Sequence, residues 1–268
     1  MIGCTTDPAH GLTTADLQRA GFGFCRIVLR WTENPAEFLR ACQTAGLPVI
    51  GIYTGESRAP NLNDTQSAVL WAAWLRDESL VEAMPLLQVG NEPDLESGSS
   101  WTMGHDEYNR LVDDVAPVFR GLDLTIVGAG LASGQPSWLA GVDQDLLDII
   151  AVHPYGRRPN GDPKWQSACP EWANDVREFL AWYRSYTALP LAVSEYGGRH
   201  EELGDPRWRQ YCVEMTVSLH QMVGDGRLAF AALYGLSEMM VPGMGMLYPD
   251  GRLTEAGRGV RSVLVASG

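Results

Sequence analysis

The chain has 268 residues, a length that suits one domain with a full hydrophobic core and leaves no room for two large ones. Its 45% hydrophobic and 20% charged residues are those of a soluble globular protein, and no apolar run approaches the roughly eighteen residues of a membrane span. A formal net charge of −13, with no lysine or arginine cluster to offset it, repels a phosphate backbone and excludes nucleic acid as a partner.

Eight short apolar, β-branched runs follow one another along the chain, each ending in small or polar residues. They are Met1 to Thr5, Phe24 to Trp31, Pro48 to Thr54, Leu86 to Asn91, Leu124 to Ala129, Ile149 to His153, Leu191 to Glu195 and Phe230 to Leu236. Segments with helical periodicity separate them, which predicts a parallel sheet, and eight strands are the number that closes a (β/α)8 TIM barrel.

The helices carry start and stop signals. Asn34-Pro35-Ala36-Glu37 supplies an N-cap, a proline at the first helical position and an early acid, and Gly46 can end that helix. From His105 to Gly121, Tyr108, Leu111, Val112, Val115, Val118 and Phe119 form one apolar stripe, while Asp113 and Asp114 face water. Pro117 inside this segment predicts a kink or an early end. No repeat, low-complexity tract or Ser/Gly-rich linker divides the chain, so residues 1–268 are expected to be one catalytic domain. Irregular stretches concentrate at Glu92 to Gly104 and Tyr155 to Pro170, after the fourth and sixth strands, on the face where barrel active sites lie.

The cysteines, Cys4, Cys25, Cys42, Cys169 and Cys212, are odd in number and lack the close spacings of metal or redox motifs. They read as buried thiols and favour a reducing, cytoplasmic compartment, in line with an amino terminus that shows no secretory signal.

Two glutamates stand out. Leu86-Leu87-Gln88-Val89-Gly90-Asn91-Glu92-Pro93 is a buried strand that closes on Asn-Glu, with Pro93 stopping the ladder; Leu191-Ala192-Val193-Ser194-Glu195 places a second glutamate at the end of another buried strand. Strands four and seven face each other across a barrel mouth, so both carboxylates can converge there. A pair about 5 to 5.5 Å apart suits retaining glycoside hydrolysis, in which one carboxylate attacks the anomeric carbon and the other protonates the departing oxygen. A lone glutamate at a strand end is usually a surface charge; two closing apolar strands on one face point to catalysis.

These motifs resemble the clan A glycoside hydrolases, the (β/α)8 superfamily of cellulases, mannanases, β-xylosidases and galactanases. The likeness rests on Arg26 in Cys25-Arg26-Ile27-Val28-Leu29-Arg30-Trp31, on Asn91-Glu92-Pro93, on His153-Pro154-Tyr155 and on Ser194-Glu195-Tyr196-Gly197, in the expected order on strands two, four, six and seven. It implies Glu92 as acid/base, Glu195 as nucleophile and Asn91 as donor to the sugar 2-hydroxyl. Arg26 and Tyr155 would hold the nucleophile, with His153 completing the shell and Arg30 a further supporting residue. The superfamily usually ends strand eight on a tryptophan that floors the central subsite; this chain has Tyr234 there. Trp31 and Trp165, ahead of Trp101 and Trp138, are the aromatic platforms expected to pack on sugar rings. The stretch Asn-Glu-Pro-Asp-Leu is similar to family 128 endo-β-1,3-glucanases, the second strand to cellulase and β-xylosidase relatives.

The expected partner is therefore an oligo- or polysaccharide, with no cofactor and no metal. A catalytically inactive carbohydrate-binding barrel is the alternative. A metal-dependent hydrolase built on His10, His105, His153, His200 and His220 lacks the His-x-His or His-Glu-x-x-His spacing such sites use. Oligomeric state, sugar, linkage and endo or exo action are not written in these motifs.

Overall fold

The computed structural model describes residues 1–8, 13–95, 102–133, 135–154, 172–197, 205–235 and 245–266. Eight parallel strands run in the order of the sequence: β1 (Ile2–Thr5), β2 (Cys25–Val28), β3 (Val49–Tyr53), β4 (Leu86–Val89), β5 (Thr125–Val127), β6 (Ile150–Val152), β7 (Leu191–Tyr196) and β8 (Ala231–Tyr234). Continuous ladders link β5 through β1 to β8 and on to β6. Isolated parallel bridges Val127↔Ile149 and Leu131↔Val152 close the remaining seam. The Asp148 carboxylate strengthens that seam by accepting the Ile126 N–H at 2.7 Å and pairing with Arg120 at 2.8 Å. The result is a (β/α)8 barrel.

The helices among the described residues are α1 (Thr14–Ala20), α2 (Ala36–Thr44), α3 (Asp64–Asp77), α4 (His105–Arg120), α5 (Trp172–Tyr183), α6 (Asp205–Gly224) and α7 (Glu255–Ala266). Capping explains several boundaries. The Asn63 side chain accepts the Gln66 N–H at 2.8 Å and opens α3. In α2 the cap position falls one residue later than expected, on Pro35 rather than Asn34, and carries no side-chain cap; Asn34 instead accepts the Ala36 N–H at 3.0 Å, and Gly46 follows the helix in the left-handed region at φ 66°. In α4 the stripe Tyr108, Leu111, Val112, Val115 and Phe119 is buried as the periodicity requires. The early end expected at Pro117 does not occur: the helix continues to Arg120. Pro117 is exposed and lies in the last turn, where water can satisfy the one carbonyl that its missing N–H leaves without a helical partner.

Between β5 and β6 the expected helix is replaced by a short 3₁₀ helix, Pro136–Gly141. Gly128, Gly130, Pro136 and Gly141 crowd this connection, and each lowers helix propensity.

Alternation along the strands sorts the core in two. Outward residues pack against the helices in one continuous apolar layer. Inward ones form the barrel floor, where Phe24, Ile50, Val127, Ile149, Ala151, Ala192, Phe230 and Ala232 cluster. The Phe24 and Phe230 rings meet edge to face at 5.6 Å, and Gly3 gives them room: a Cβ there would sit 2.4 Å from the Phe24 ring. Above this apolar floor the interior turns polar, with Thr5, Arg26, Gln88, His153, Ser194 and Glu195 all buried toward the carboxyl ends of the strands. No helix among the described residues is long and apolar enough to cross a membrane.

Candidate active site

Arg26 is the hub of the polar layer. It points inward from the second position of β2 and is fully buried, so each of its N–H groups needs an acceptor. Nη1 donates to Glu195 Oε1 at 2.6 Å and to Thr5 Oγ1 at 3.2 Å, Nε to Gln88 Oε1 at 3.0 Å, and Nη2 to Asn91 Oδ1 at 2.7 Å. One guanidinium thus ties together β1, β2, β4 and β7. Asn91 Oδ1 also receives Gln88 Nε2 at 3.4 Å, which leaves the Asn91 amide nitrogen as the outward donor.

Glu195 owes its direction to an irregularity. Val193 pairs with Ala231 and Tyr196 with Leu233, so β7 carries one residue more than β8 over this stretch. The bulge lets two consecutive side chains work on the interior side: Ser194 reaches His153 and Glu195 reaches Arg26. Glu195, only 5% exposed, is ion-paired to the Arg26 cation.

Glu92 approaches from the opposite side of the mouth. Beyond β4 the chain turns through Gly90 at φ 81° and Glu92 at φ 50°, a left-handed conformation that costs a non-glycine residue about 1 kcal/mol or more. The Glu92 N–H donates to the Gly130 carbonyl at 3.0 Å, and the Asn91↔Gly130 bridge holds the same turn. Asp94, 6% exposed, accepts from the Ala132 and Ser133 N–H groups and from the Ser133 hydroxyl at 2.9, 2.9 and 2.6 Å, latching the loop after β4 to the loop after β5.

His153, just past β6 and fully buried, bridges the two acids. Nδ1 lies 2.8 Å from Glu92 Oε1 and 3.5 Å from Glu195 Oε2, and Nε2 lies 3.0 Å from Ser194 Oγ. Oxygens of Glu92 and Glu195 and a ring nitrogen of His153 fall within 4.8 Å of one another. Gly130 makes this possible, because a Cβ there would lie 1.9 Å from His153 Nε2.

Of the residues singled out in the sequence, Glu92, Glu195, Arg26, Asn91 and His153 meet in this cluster. Arg30 lies elsewhere on the rim, where it pairs with Glu56 at 2.7 Å, Asp7 at 2.9 Å and Glu33 at 3.5 Å. Trp31, 36% exposed, packs edge-on against Trp71 at 5.8 Å and lines a cleft of about 180 Å³ with Glu33, Asn34 and Trp74. Tyr234, half-buried, ends β8 in register with Thr5 of β1. Trp138 packs tilted against His105 at 4.8 Å and Tyr108 at 5.5 Å. Tyr155, Trp165, Trp101, His10, His200 and Cys169 lie outside the described residues.

Sequence reasoning missed Thr5, Gln88, Ser194, Asp94 and Gly130. Gln88 had a readable signal, a lone amide in the apolar strand Leu86–Val89. Gly130 had none, since only the fold brings it under the imidazole.

No family model matches the chain, and no curated protein matches it by sequence. Solved structures do. A family 128 (subgroup I) endo-β-1,3-glucanase from Amycolatopsis mediterranei, in complex with laminarihexaose, is similar with a TM-score of 0.66 at 15% identity over 97% of this chain and 98% of that one. A family 128 (subgroup II) endo-β-1,3-glucanase from Sorangium cellulosum gives 0.69 at 18% identity, covering 98% of both chains. A GH5_18 protein from Bifidobacterium longum subsp. infantis gives 0.73 at 13% identity over 99% of this chain and 78% of that one. The likeness to these structures shows that the chain has their (β/α)8 barrel fold.

Proposed function

We propose that the protein is a retaining glycoside hydrolase of β-linked glycans, with Glu195 as nucleophile and Glu92 as acid/base. The observation that carries this reading is the pair of carboxylates facing each other across the barrel mouth, with oxygens within 4.8 Å and, among the described residues, Glu195 alone of the two ion-paired to a buried arginine. A gap of this size suits direct attack on a sugar, whereas an inverting pair needs room for a water between its carboxyls.

In the first step Glu195 Oε attacks the anomeric carbon as the glycosidic C–O bond breaks, and the Glu92 proton passes to the leaving oxygen. In the second, Glu92 takes a proton from water, the oxygen of that water attacks the same carbon, and the glycosyl ester to Glu195 breaks. Arg26 keeps the nucleophile ionised and aimed. Asn91, its carbonyl oxygen occupied by Arg26 and Gln88, turns an amide N–H toward the site of the 2-hydroxyl. Trp31 offers an apolar face on the rim for a more distant sugar, with Trp165 expected as a second platform and Tyr155 as a further donor to the nucleophile.

A β-1,3-glucan is the first substrate to try, because the family 128 neighbours are endo-β-1,3-glucanases seen with laminari-oligosaccharides. The test is hydrolysis of a panel of β-linked oligosaccharides by wild type, Glu92→Gln and Glu195→Gln, with the anomer of the first product read by NMR. The expected result is retention of configuration and a loss of about 10²- to 10⁴-fold or more in kcat for each variant. Binding without turnover by wild type would instead support an inactive carbohydrate-binding barrel.

Glu92, His153 and Glu195 form a set that could ligate a metal ion. Arg26 favours the metal-free reading, because it already places a cation 2.6 Å from Glu195. Hydrolysis is therefore expected to be unchanged by a chelator, and loss of activity restored by a divalent ion would favour the metal site.

A further inference from the structure

We propose that the cleft between α2 and α3, lined by Trp31, Trp71 and Trp74, is a second carbohydrate-binding site, which holds a neutral β-glucan chain away from the acid pair. The sugar is named on the glycosidase reading above, on which this proposal rests. Glu92 and Glu195 face the barrel interior from the ends of β4 and β7, whereas the three indoles come from the loop after β2 and from the outer helix α3.

Packing makes the cleft and keeps it rigid. Just past the end of α3, Glu78 pairs with Arg40 of α2, and Gln43 Nε2 donates to the Ser79 carbonyl at 3.5 Å. Toward the other end of α2 a hollow of about 180 Å³ opens beside Asn34 and Pro35. Trp71 is buried and its indole N–H donates to the Ser57 carbonyl at 2.8 Å. Trp31 and Trp74 each meet that ring at nearly a right angle, with 5.8 and 5.3 Å between centres. Trp31, 36% exposed, and the half-buried Trp74 are thus held in place before any ligand arrives, which lowers the entropy cost of binding.

Indole faces pack against the CH faces of a pyranose, and the same lining supplies the polar groups that fix a sugar. The Asn34 carbonyl oxygen is taken by the Ala36 N–H at 3.0 Å, so what it has left for a hydroxyl is its amide NH2. The Glu33 carboxylate is an acceptor, with Arg30 3.5 Å from its Oε1. A second hollow of about 220 Å³, lined by Pro8, Val28 and Arg30, adjoins the first across Glu33, Asn34 and Pro35 and gives a chain room to continue. Both are smaller than the roughly 300–1,000 Å³ that encloses a drug-sized molecule, as suits a polymer lying across the surface. Charge selects against other ligands: Glu33 and the net charge of −13 repel anions, and Arg30 already answers the carboxylate that a cation would seek. A protein partner would bury about 800 Å² on this side, but from residue 29 to 78 the large apolar side chains that are exposed are Trp31, Val69 and Leu70 alone. A polysaccharide held here as well as at the acids gains effective concentration, which favours long chains as substrates.

The test titrates Glu195→Gln, which should hold glycan without cleaving it, with laminarihexaose and follows the binding by NMR. The indole N–H signals of Trp31 and Trp74, assigned with Trp31→Phe and Trp74→Phe, report the cleft, and the ring signals of His153 report the acid pair. The expected result is that both sets shift, along two different saturation curves. Trp31→Ala added to this protein should weaken the affinity read at Trp74 by about 10-fold or more, the loss that goes with removing an aromatic anchor. Both sets following one curve would make the cleft an arm of the catalytic groove and overturn the proposal, as would silent indoles or a Trp74 response untouched by Trp31→Ala. The two curves are read with the cleft intact, so they decide the matter even if Trp31→Ala does not fold. Indole shifts beside a silent His153 would uphold this site and count against the glycosidase reading.

Discussion

Gly130 shows how one missing side chain can govern a site. Its carbonyl holds the backbone of Glu92 in a left-handed turn, and the space where a Cβ would stand is filled by the His153 ring. Gly130→Ala is therefore expected to displace the imidazole while leaving the strands intact. Misplacement of about 1 Å at a catalytic constellation costs on the order of 100-fold, so kcat should fall to that extent with an unchanged circular dichroism spectrum. An alanine variant with full activity would mean that His153 is not needed where it lies. Glu92 and Glu195 were legible as acids closing apolar strands, while Arg26, Asn91 and His153 were singled out by the resemblance of their motifs. Thr5, Ser194 and Gly130 carry no such mark, because their importance comes from the neighbours they meet, 21, 41 and 23 positions away in the case of Arg26, His153 and His153 again.

Between elements, the joints that matter are local departures from regularity. The bulge in β7 turns Ser194 and Glu195 to the same side, and Asp94 fastens the loop after β4 to the loop after β5. Asp94→Ala removes a carboxylate that three buried donors share, and bonds to a charged acceptor are worth about 1.5–3 kcal/mol. Urea unfolding is expected to show a loss of about 2–3 kcal/mol, partly restored in Asp94→Asn, which keeps one acceptor oxygen. No change in the unfolding midpoint would show that solvent already satisfies those donors. The strands themselves were legible to within a few residues, since an apolar run of that length between Gly- and Pro-rich turns has few other uses. The 3₁₀ segment in place of a helix before β6 was not anticipated, although Gly128, Gly130, Pro136 and Gly141 in that connection each lower helix propensity.

At the scale of the molecule, the buried hydroxyl and thiol groups set an alkaline limit. Burial pushes Cys4, Cys212, Tyr108, Tyr196 and Tyr211 above their ordinary ranges, and Cys25, held against Cys42, rises first through that contact and then through burial. The folded chain therefore keeps protons that the unfolded chain releases near pH 8.5 for cysteine and 10 for tyrosine. With fewer protons bound in the unfolded state, stability falls as pH rises. The full contribution is present below about pH 8. The melting temperature should hold steady there and drop progressively between about pH 9 and 11; a flat profile across that range would contradict the burial of these groups.

By itself the sequence determined the class of fold and singled out the two glutamates proposed as the catalytic pair, because hydrophobic alternation, helix caps and a glutamate closing each of two apolar strands are local properties that survive without a structure. Only the tertiary structure decided which oxygen faces which donor. That choice depends on a one-residue bulge, a left-handed turn and an absent Cβ, each acting between segments far apart in the chain. The physical reason is that a buried polar group takes whatever partner the closed barrel brings within about 3 Å, and closure is a property of all eight strands together.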